Sequence, residues 1–331
     1  MNNHCVGSDA GKPLNTMLVG IDIGGTKTAI VMSPHPPHVS WRKEFPTLPE
    51  DGPDHAIQRI IQLARQGLAE LHSQASSIGV SCGGPLDLTT GVIQSPPNLP
   101  TWTEVPLKRI LEAEFGVSCR IENDANAGAV AEHRYGAGRG CRHMIFLTLG
   151  TGLGAGLILN GQIYRGANGM AGEIGHVRLT ENGPQGFNKA GSVEGWASGG
   201  GMAQRAAEIV SAAIRAGEHT SLAKPVSLLT ARDVGLALAD GDAVAERIVR
   251  ETGVRLGDAL AILVDILNPE RIVIGGLALR LGETLLAPAR SRLAQEALPA
   301  SGTACDVVPA ALGEMIGDVA ALCVAIGLDH C

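Results

Sequence analysis

Apolar runs and amphipathic segments alternate along the chain, and this alternation predicts its secondary structure. Residues 17–23 and 28–32 are apolar and contain many β-branched side chains, and a Gly-Gly-Thr turn separates them, which predicts a hairpin. Residues 53–72 carry Ile, Leu and Ala at helical spacing behind a proline, which predicts an amphipathic helix. The same reasoning predicts strands at 41–45, 78–81 and 119–121, and a short helix at 105–115.

The second half of the chain repeats this alternation. Apolar runs at 144–149 and 155–159 flank a glycine-rich turn, and a strand at 271–274 precedes the turn Gly275-Gly276. Helices are predicted at 126–135, 195–216 and 243–267. Strands that alternate with helices predict an α/β protein.

The same pattern predicts the domain organisation. Residues 1–15 have no periodic apolar pattern and are expected to form a disordered leader. A chain of 331 residues is long enough for two domains. We expect an N-terminal α/β lobe at 16–124 and a C-terminal α/β lobe at 125–312, with a C-terminal helix at 313–331 that joins the first lobe.

Composition and charge narrow the range of partners. The chain has 45% hydrophobic residues and a formal net charge of −7, so it lacks the broad positive surface that nucleic acid or anionic lipid requires. No apolar run is long enough to span a bilayer, and the N-terminal residues lack the apolar core of a secretory signal. The seven cysteines contain no CxxC pair, which indicates reduced thiols. We therefore expect a cytoplasmic protein without a nucleic-acid or membrane partner.

Two segments of the chain resemble each other. GIDIGGTKTAIV at 20–31 and LTLGTGLGAGLI at 147–158 both consist of an apolar strand, a Gly/Thr turn and a second apolar strand. Glycine lets backbone N–H groups approach phosphate oxygens, so two such turns predict a phosphate clamp between two similar lobes. Simple hairpins without a ligand are the alternative. A dinucleotide-binding fold would need a helix directly after the glycines, and no GxxxxGK[ST] P-loop motif occurs.

Several motifs resemble those of the ROK family, which groups sugar kinases with sugar-responsive repressors. They are GIDIGGTKTAIV, GGPLD at 83–87, PNLPTW at 97–102, IENDANAGAVAE at 121–132, LGTGLGAGLILNGQIYRGANGMAGEIGHV at 149–177 and IVIGG at 272–276. The resemblance implies the actin-like ATPase (ribonuclease H-like) two-lobed fold with an active-site cleft between the lobes. It also implies ATP and Mg²⁺ at the base of the cleft, and a homodimer.

The resemblance assigns the catalytic base to Asp124, within the motif Glu-Asn-Asp-Ala-Asn. A carboxylate there accepts the hydroxyl proton during phosphoryl transfer. The alternative is that Asp124 only caps the helix that begins there.

By the same resemblance, Asp22 faces the metal ion that is bound to ATP. The other nucleotide-binding positions implied are Gly24, Gly25, Thr26, Lys27, Thr151, Gly152, Gly275 and Gly276. Because Mg²⁺ keeps much of its water shell, one carboxylate together with the phosphates is sufficient.

Sugar binding is implied for polar residues and one glycine. They are Gly84, Asn98, Asn123, Asp124, Glu173, His176 and Glu194. Most family members carry a CxCGxxGC zinc loop after this histidine, whereas residues 183–194 read GPQGFNKAGSVE. Structural zinc needs about four ligands, so we predict no structural zinc.

The function implied is an ATP-dependent hexose kinase, with O6 of glucose as the default acceptor. Fructose and N-acetylhexosamines remain open as substrates, polyphosphate remains open as a donor, and a non-catalytic sugar sensor is a second class. The residues Glu173, His176 and Glu194 argue against a third class, the carboxylate kinases and chaperone-type ATPases of the same superfamily.

Overall fold

The computed structural model describes residues 15–222 and 225–328, and these form two compact units. The first unit comprises the described chain through Glu122 together with Ala321–Ile326, and the second comprises Asn123–Ala320 with the residues after Ile326. The predicted leader at 1–15 lies outside the described residues except for Asn15, which begins the first strand.

The first unit contains a five-stranded sheet. Its strands and helices, with one small hairpin of β5 and β6, are β1 Asn15–Ile23, β2 Lys27–Ser33, β3 Trp41–Pro46, α1 Pro53–Glu70, β4 Ser73–Cys82, β5 Leu86–Asp87, β6 Val92–Ile93, α2 Leu107–Phe115 and β7 Cys119–Asn123. The sheet order is β3-β2-β1-β4-β7, with β1 antiparallel to β2 and parallel to β4. The hairpin predicted at the start of the chain is therefore confirmed.

The second unit contains another five-stranded sheet. Its elements are α3 Asp124–Tyr135, β8 Met144–Leu149, β9 Leu153–Leu159, β10 Gln162–Tyr164, β11 Gln185–Gly186, β12 Lys189–Ala190, α4 Val193–Ala197, α5 Gly199–Arg215, α6 Ala231–Ala239, α7 Ala243–Leu267, β13 Arg271–Ile274, α8 Leu277–Glu296, α9 Pro299–Ala304, β14 Asp306–Pro309 and the first part of α10 Ile316–Ile326. The strand order is β10-β9-β8-β13-β14. As in the first sheet, three strands pair antiparallel (β10, β9 and β8), and the next strand, β13, runs parallel to the third, as does β14 to β13.

The end of α10 packs against the first sheet because glycines there leave room for its backbone. A Cβ on Gly79 would lie 2.1 Å from the Ala325 nitrogen, and Ser77 Oγ donates a 2.8 Å hydrogen bond to the Ala325 carbonyl. Each unit has its own apolar core, formed by side chains such as Ile21 and Ile60 in the first and Ile145 and Leu260 in the second.

Some predicted boundaries were wrong for physical reasons. The helix predicted at 105–115 begins only at Leu107, because Val105 pairs with Ile93 in a β-bridge and Pro106 precedes the first turn. The helix predicted at 313–331 covers Ile316–Ile326 within the described residues, and a 3-10 turn precedes it.

The helix predicted at 195–216 is two helices, α4 and α5. Ser198 has extended backbone angles (φ −83°, ψ 168°), and its side chain accepts a hydrogen bond from Gly201 N as the N-cap of α5. Apolar periodicity alone does not reveal such a break, because the cap uses a single serine. Among all the residues described, no helix has the length and apolarity needed to cross a membrane.

Candidate active site

Asp124 lies at the junction of β7 and α3, where its backbone geometry is set by the residue before it. Asn123 is the N-cap of α3, and its side-chain oxygen accepts hydrogen bonds from Ala125 N at 3.0 Å and Asn126 N at 3.4 Å. Asp124 is the first helical residue, and its carboxylate accepts a 2.8 Å hydrogen bond from Ala125 N. The alternative that Asp124 caps the helix is therefore wrong, since Asn123 provides the cap.

Helix α3 is held close to strand β9 by two glycines of the segment GLGAG. A Cβ on Gly156 would lie 2.4 Å from the Ala125 carbonyl oxygen, and one on Gly154 would lie 3.2 Å from the Ala125 Cβ. Gly154 falls in the glycine-rich turn predicted between the strands 144–149 and 155–159, whereas Gly156 falls in the second predicted strand. Both lie within β9, where they allow the helix to approach the strand. Asp124 is thus fixed beside β9.

The segment Gly-Glu-Ile-Gly-His also packs on β9. Gly172 has φ +94°, and a Cβ there would lie 2.2 Å from the Ala155 carbonyl oxygen, while one on Gly175 would lie 2.5 Å from the Leu153 carbonyl oxygen. This close approach leaves Glu173 and His176 exposed at the two ends of a short 3-10 turn.

Glu194 reaches the same strand from α4. Ser192 caps this short helix by accepting a hydrogen bond from Gly195 N, and the Glu194 carboxylate accepts a 3.0 Å hydrogen bond from Leu153 N. A Cβ on Gly152 would lie 2.7 Å from the same carboxylate oxygen. Glu194 therefore touches the turn between β8 and β9.

These charged groups lie around one strand, β9, because α3, the 3-10 turn and the Glu194 side chain of α4 all contact it. The pKa of Glu173 is raised by desolvation and by the negative charges of Glu194 and Asp124, while the nearby His176 acts in the opposite direction. Asp124 is open to solvent, yet the surrounding protein removes enough water to raise its pKa, against the effect of the Ala125 N–H. The second unit thus brings together four of the predicted sugar-binding side chains.

The second glycine turn joins β8 to β9 and rests on the N-terminus of α5. Gly150 N donates to the Gly152 carbonyl at 3.0 Å. The Gly199 and Gly200 N–H groups donate to the carbonyls of Gly150 and Thr151 at 2.8 and 3.0 Å. Thr151 is exposed at the tip of the turn.

The turn Gly275-Gly276 lies beside the end of the same strand, β8. Gly275 N donates to the Leu147 carbonyl at 2.8 Å, and Gly276 has φ +63°. A Cβ on Gly276 would lie 2.1 Å from the Leu149 carbonyl oxygen, so this position requires glycine. Gly276 is the N-cap of α8, and among the described residues no side chain caps that helix end.

The first glycine turn, in the first unit, is held by hydrogen bonds of a different kind. Gly24 N donates to the Lys27 carbonyl at 3.0 Å, and Thr47 Oγ1 donates to the Gly24 carbonyl at 2.6 Å. Lys27 forms an exposed ion pair with Glu44 at 3.2 Å. Asp22 is half-buried near the end of β1, where it pairs with Ala29 across the hairpin.

Two predicted sugar-binding positions of the first unit lie near this turn. A Cβ on Gly25 would lie 2.8 Å from the Asn98 Cβ, so Asn98 directly contacts the turn. Gly84 comes shortly after the end of β4, where Cys82 pairs with Ile23 in parallel register. The first unit therefore brings Gly84 and Asn98 to the end of β1 that carries Asp22.

Residues 183–194, which lack the cysteines of the zinc loop, are held by contacts with other parts of the protein. The β11–β12 hairpin lies here, and Trp196 Nε1 donates a 2.7 Å hydrogen bond to Thr180 Oγ1. Arg255 stacks on the Trp196 ring at 4.6 Å. Over residues 15–222 and 225–328, no group of three or more His, Cys, Asp or Glu side chains is arranged to hold a metal ion.

The residues that hold the site in place were not among those predicted from the sequence. Trp196, Leu153 and Ser192 are such residues, and only the short motif Ser-Val-Glu-Gly-Trp signalled that a helix cap precedes Glu194. Phe187 was also missed, although its ring lies 6.2 Å from that of His176 between centroids.

The chain is similar to known proteins over nearly its whole length. A family model described as the ROK family matches residues 18–327. A glucokinase of Halalkalibacterium halodurans is 37% identical over 309 residues, covering 90% of this chain and 92% of that protein. A glucokinase of Thermotoga maritima is 31% identical over 308 residues, covering 91% and 94%.

Solved structures agree with this similarity. The crystal structure of a ROK family glucokinase from Streptomyces griseus, in complex with glucose and AMPPNP, matches with a TM-score of 0.77 and 29% identity over 94% of this chain and 99% of that one. The predicted resemblance and fold class are thereby confirmed. The chain belongs to the ROK family and has the actin-like ATPase fold.

Proposed function

We propose that this protein transfers the γ-phosphate of ATP to a hydroxyl of a hexose, with Asp124 as the general base. Similarity to glucokinases over nine-tenths of the chain establishes the coarse activity, that of an ATP-dependent sugar kinase. The identity of the hexose and the roles of the individual residues are what we propose. The observation that carries it is the cluster of Asp124, Glu173, His176 and Glu194 around strand β9.

Asp124 suits the role of a base for three reasons. Its position in the first turn of α3 is rigid, because Asn123 caps the helix and the glycines of β9 hold it. The side chain is open to solvent and therefore to a substrate. A carboxylate whose pKa is raised by desolvation accepts a proton more readily than an ordinary aspartate.

The rest of the cluster suits a ligand rich in hydroxyls. Carboxylates accept hydrogen bonds from hydroxyls, and an imidazole either donates or accepts them. Asn123 uses its side-chain oxygen for the helix cap, and its amide nitrogen is the group that donates to a sugar hydroxyl. We propose glucose as the hexose; an N-acetylhexosamine or fructose is the alternative within the same family.

The nucleotide roles are proposed for the glycine turns. The turns at Gly24–Thr26 and Gly150–Gly152 expose backbone at their tips, and α8 begins at Gly276 without a side-chain cap, which suits an anion at a helix N-terminus. Asp22 offers the hard oxygen ligand that Mg²⁺ prefers. When bound, Mg²⁺ neutralises charge on the phosphates of ATP. The homodimer implied by the family resemblance and the cytoplasmic location expected from the sequence stay predictions.

A coupled assay of ADP release tests the proposal. The purified protein is given ATP and, in turn, glucose, mannose, fructose and N-acetylglucosamine, and polyphosphate then replaces ATP. We expect the highest kcat/KM with glucose and ATP. A hexose that binds calorimetrically without any ADP release would favour the sugar sensor instead, and faster turnover of N-acetylglucosamine would change the substrate.

A further inference from the structure

The hairpin β11–β12 ends in a turn with two unusual residues. Gly186 pairs with Lys189, so Phe187 and Asn188 form a two-residue loop, and both have positive φ, 43° and 61°. Positive φ at both loop positions defines a type I′ turn, which favours Asn-Gly or Asp-Gly. This turn has phenylalanine where asparagine is preferred, and asparagine where glycine is preferred.

Phe187 is unfavourable at this position for two separate reasons. A bulky residue is an outlier in the left-handed region of backbone space. The side chain is also 63% exposed, so little burial of its ring offsets the backbone strain. Strained, exposed residues of this kind are found where function requires them.

The neighbour of Phe187 is His176. The two rings meet edge to face, with centroids 6.2 Å apart and planes at 75°. Lys189, at the other side of the same turn, donates a 2.7 Å hydrogen bond to the His176 carbonyl. The hairpin therefore contacts His176 at its ring and at its backbone.

A hexose has two kinds of surface. Its hydroxyls need polar partners, and the side chains of the proposed sugar site are all polar. The C–H groups of a pyranose ring form an apolar face, which packs on an aromatic ring. We propose that Phe187 is a further sugar-contacting residue, which packs on the apolar face of the hexose beside His176 and thereby contributes to substrate choice. This inference rests on the proposed function of the site.

A pair of substitutions separates this role from a structural one. Phe187→Asn with Asn188→Gly converts the turn to the preferred Asn-Gly and removes the aromatic ring. We expect hexose affinity, measured by calorimetry with glucose, to fall about tenfold while Tm rises by about 1–3 °C, because the backbone strain is relieved. Phe187→Tyr should retain the affinity. Leu228→Ala, at an equally exposed position (63%), is the matched control.

The outcomes are distinguishable. Unchanged glucose affinity in the double variant would overturn the inference and leave the kinase proposal standing. A lower Tm in the double variant, together with a loss of glucose affinity in Phe187→Tyr, would mean that Phe187 only stabilises the fold, and would also overturn it. Binding without turnover in the parent protein still tests the inference, because calorimetry needs no catalysis. A parent protein that binds none of the hexoses would overturn both proposals.

Discussion

The two sheets of the molecule share one plan but differ in the segment that comes after their third strand. In the first unit, residues 47–52 connect β3 to helix α1. In the second unit, residues 165–198 separate β10 from helix α5, and this insertion carries Glu173, His176 and Glu194. The repeated framework is shared, whereas Glu173 and Glu194, two of the three carboxylates of the proposed sugar site, belong to one insertion. In the proposed function, the sugar-binding groups are thus an addition to a duplicated scaffold.

The two glycine turns also differ, in the groups that support them. The Thr47 hydroxyl supports the first turn, and Lys27 of this turn forms an exposed ion pair with Glu44. The second turn is supported by the N–H groups of α5 and by contact with Glu194. The second turn therefore contacts a carboxylate of the proposed sugar site through a side chain that can rotate, whereas the first turn contacts the backbone of Asn98, so substitutions in the two turns should differ in their effect on stability.

The largest effect is expected from Asp124→Asn. The amide keeps the shape of the side chain but cannot take a proton, so kcat should fall by about 10²–10⁴-fold with little change in hexose affinity. Asp54→Asn is the matched control, because Asp54 also lies in the first turn of a helix, α1. Steady-state kinetics and calorimetry provide the measurement, and equal kcat in both variants would remove Asp124 from the mechanism.

A pH profile should show the raised pKa of Asp124. The base works only when ionised, so kcat/KM should fall about tenfold per pH unit below that pKa, which lies above the usual value for an aspartic acid. The value of kcat/KM falls toward low pH because a protonated carboxyl has lost the lone pair that accepts the hydroxyl proton. An acid limb at the ordinary pKa of aspartate would mean that desolvation of this group is negligible.

Glu194→Gln should have an intermediate effect. The amide is a weaker acceptor than a carboxylate for both the Leu153 N–H and a sugar hydroxyl, so the KM for hexose should rise about tenfold. Glu208→Gln on helix α5 serves as the control, since its side chain is 65% exposed. If Glu194→Gln has the same KM for hexose as the parent protein, Glu194 does not contribute to sugar binding.

A smaller effect distinguishes the two turns by stability. Alanine at Gly25 places a Cβ 2.9 Å from the Asn98 carbonyl oxygen, so backbone must move and the free energy of unfolding should fall by about 1–3 kcal/mol. Alanine at Gly152 meets only the end of the Glu194 side chain, which can rotate away. Thermal unfolding should therefore rank Gly25→Ala below Gly152→Ala in stability. The reverse ranking would contradict these contacts.

The smallest effect on stability is expected from removal of metal ions. Residues 183–194 contain no cysteine, and protein contacts such as the Trp196 hydrogen bond hold this segment, so EDTA should leave Tm unchanged. Activity should nevertheless disappear with EDTA and return with Mg²⁺. One zinc per chain by elemental analysis, together with a lower Tm after chelation, would refute the prediction.

Local patterns in the sequence determined much of the fold. The predicted helix 243–267 and strand 271–274 match α7 and β13, because their apolar periodicity ends at Asn268-Pro269, and proline cannot continue the helix. The duplicated hairpins were also predictable, since each glycine turn lies between two apolar strands. Family membership was predictable from the motifs in the same segments.

Tertiary packing decided the arrangement of the site, because it depends on residues far apart in sequence. The sequence alone did not reveal that Asn123 rather than Asp124 caps α3, that Gly154 and Gly156 admit a helix, or that Glu194 binds the backbone of Leu153. Apolar periodicity reports on which face of an element is buried. It contains no information about which distant backbone group will lie within hydrogen-bonding distance of a given side chain, and that is settled only when the elements pack.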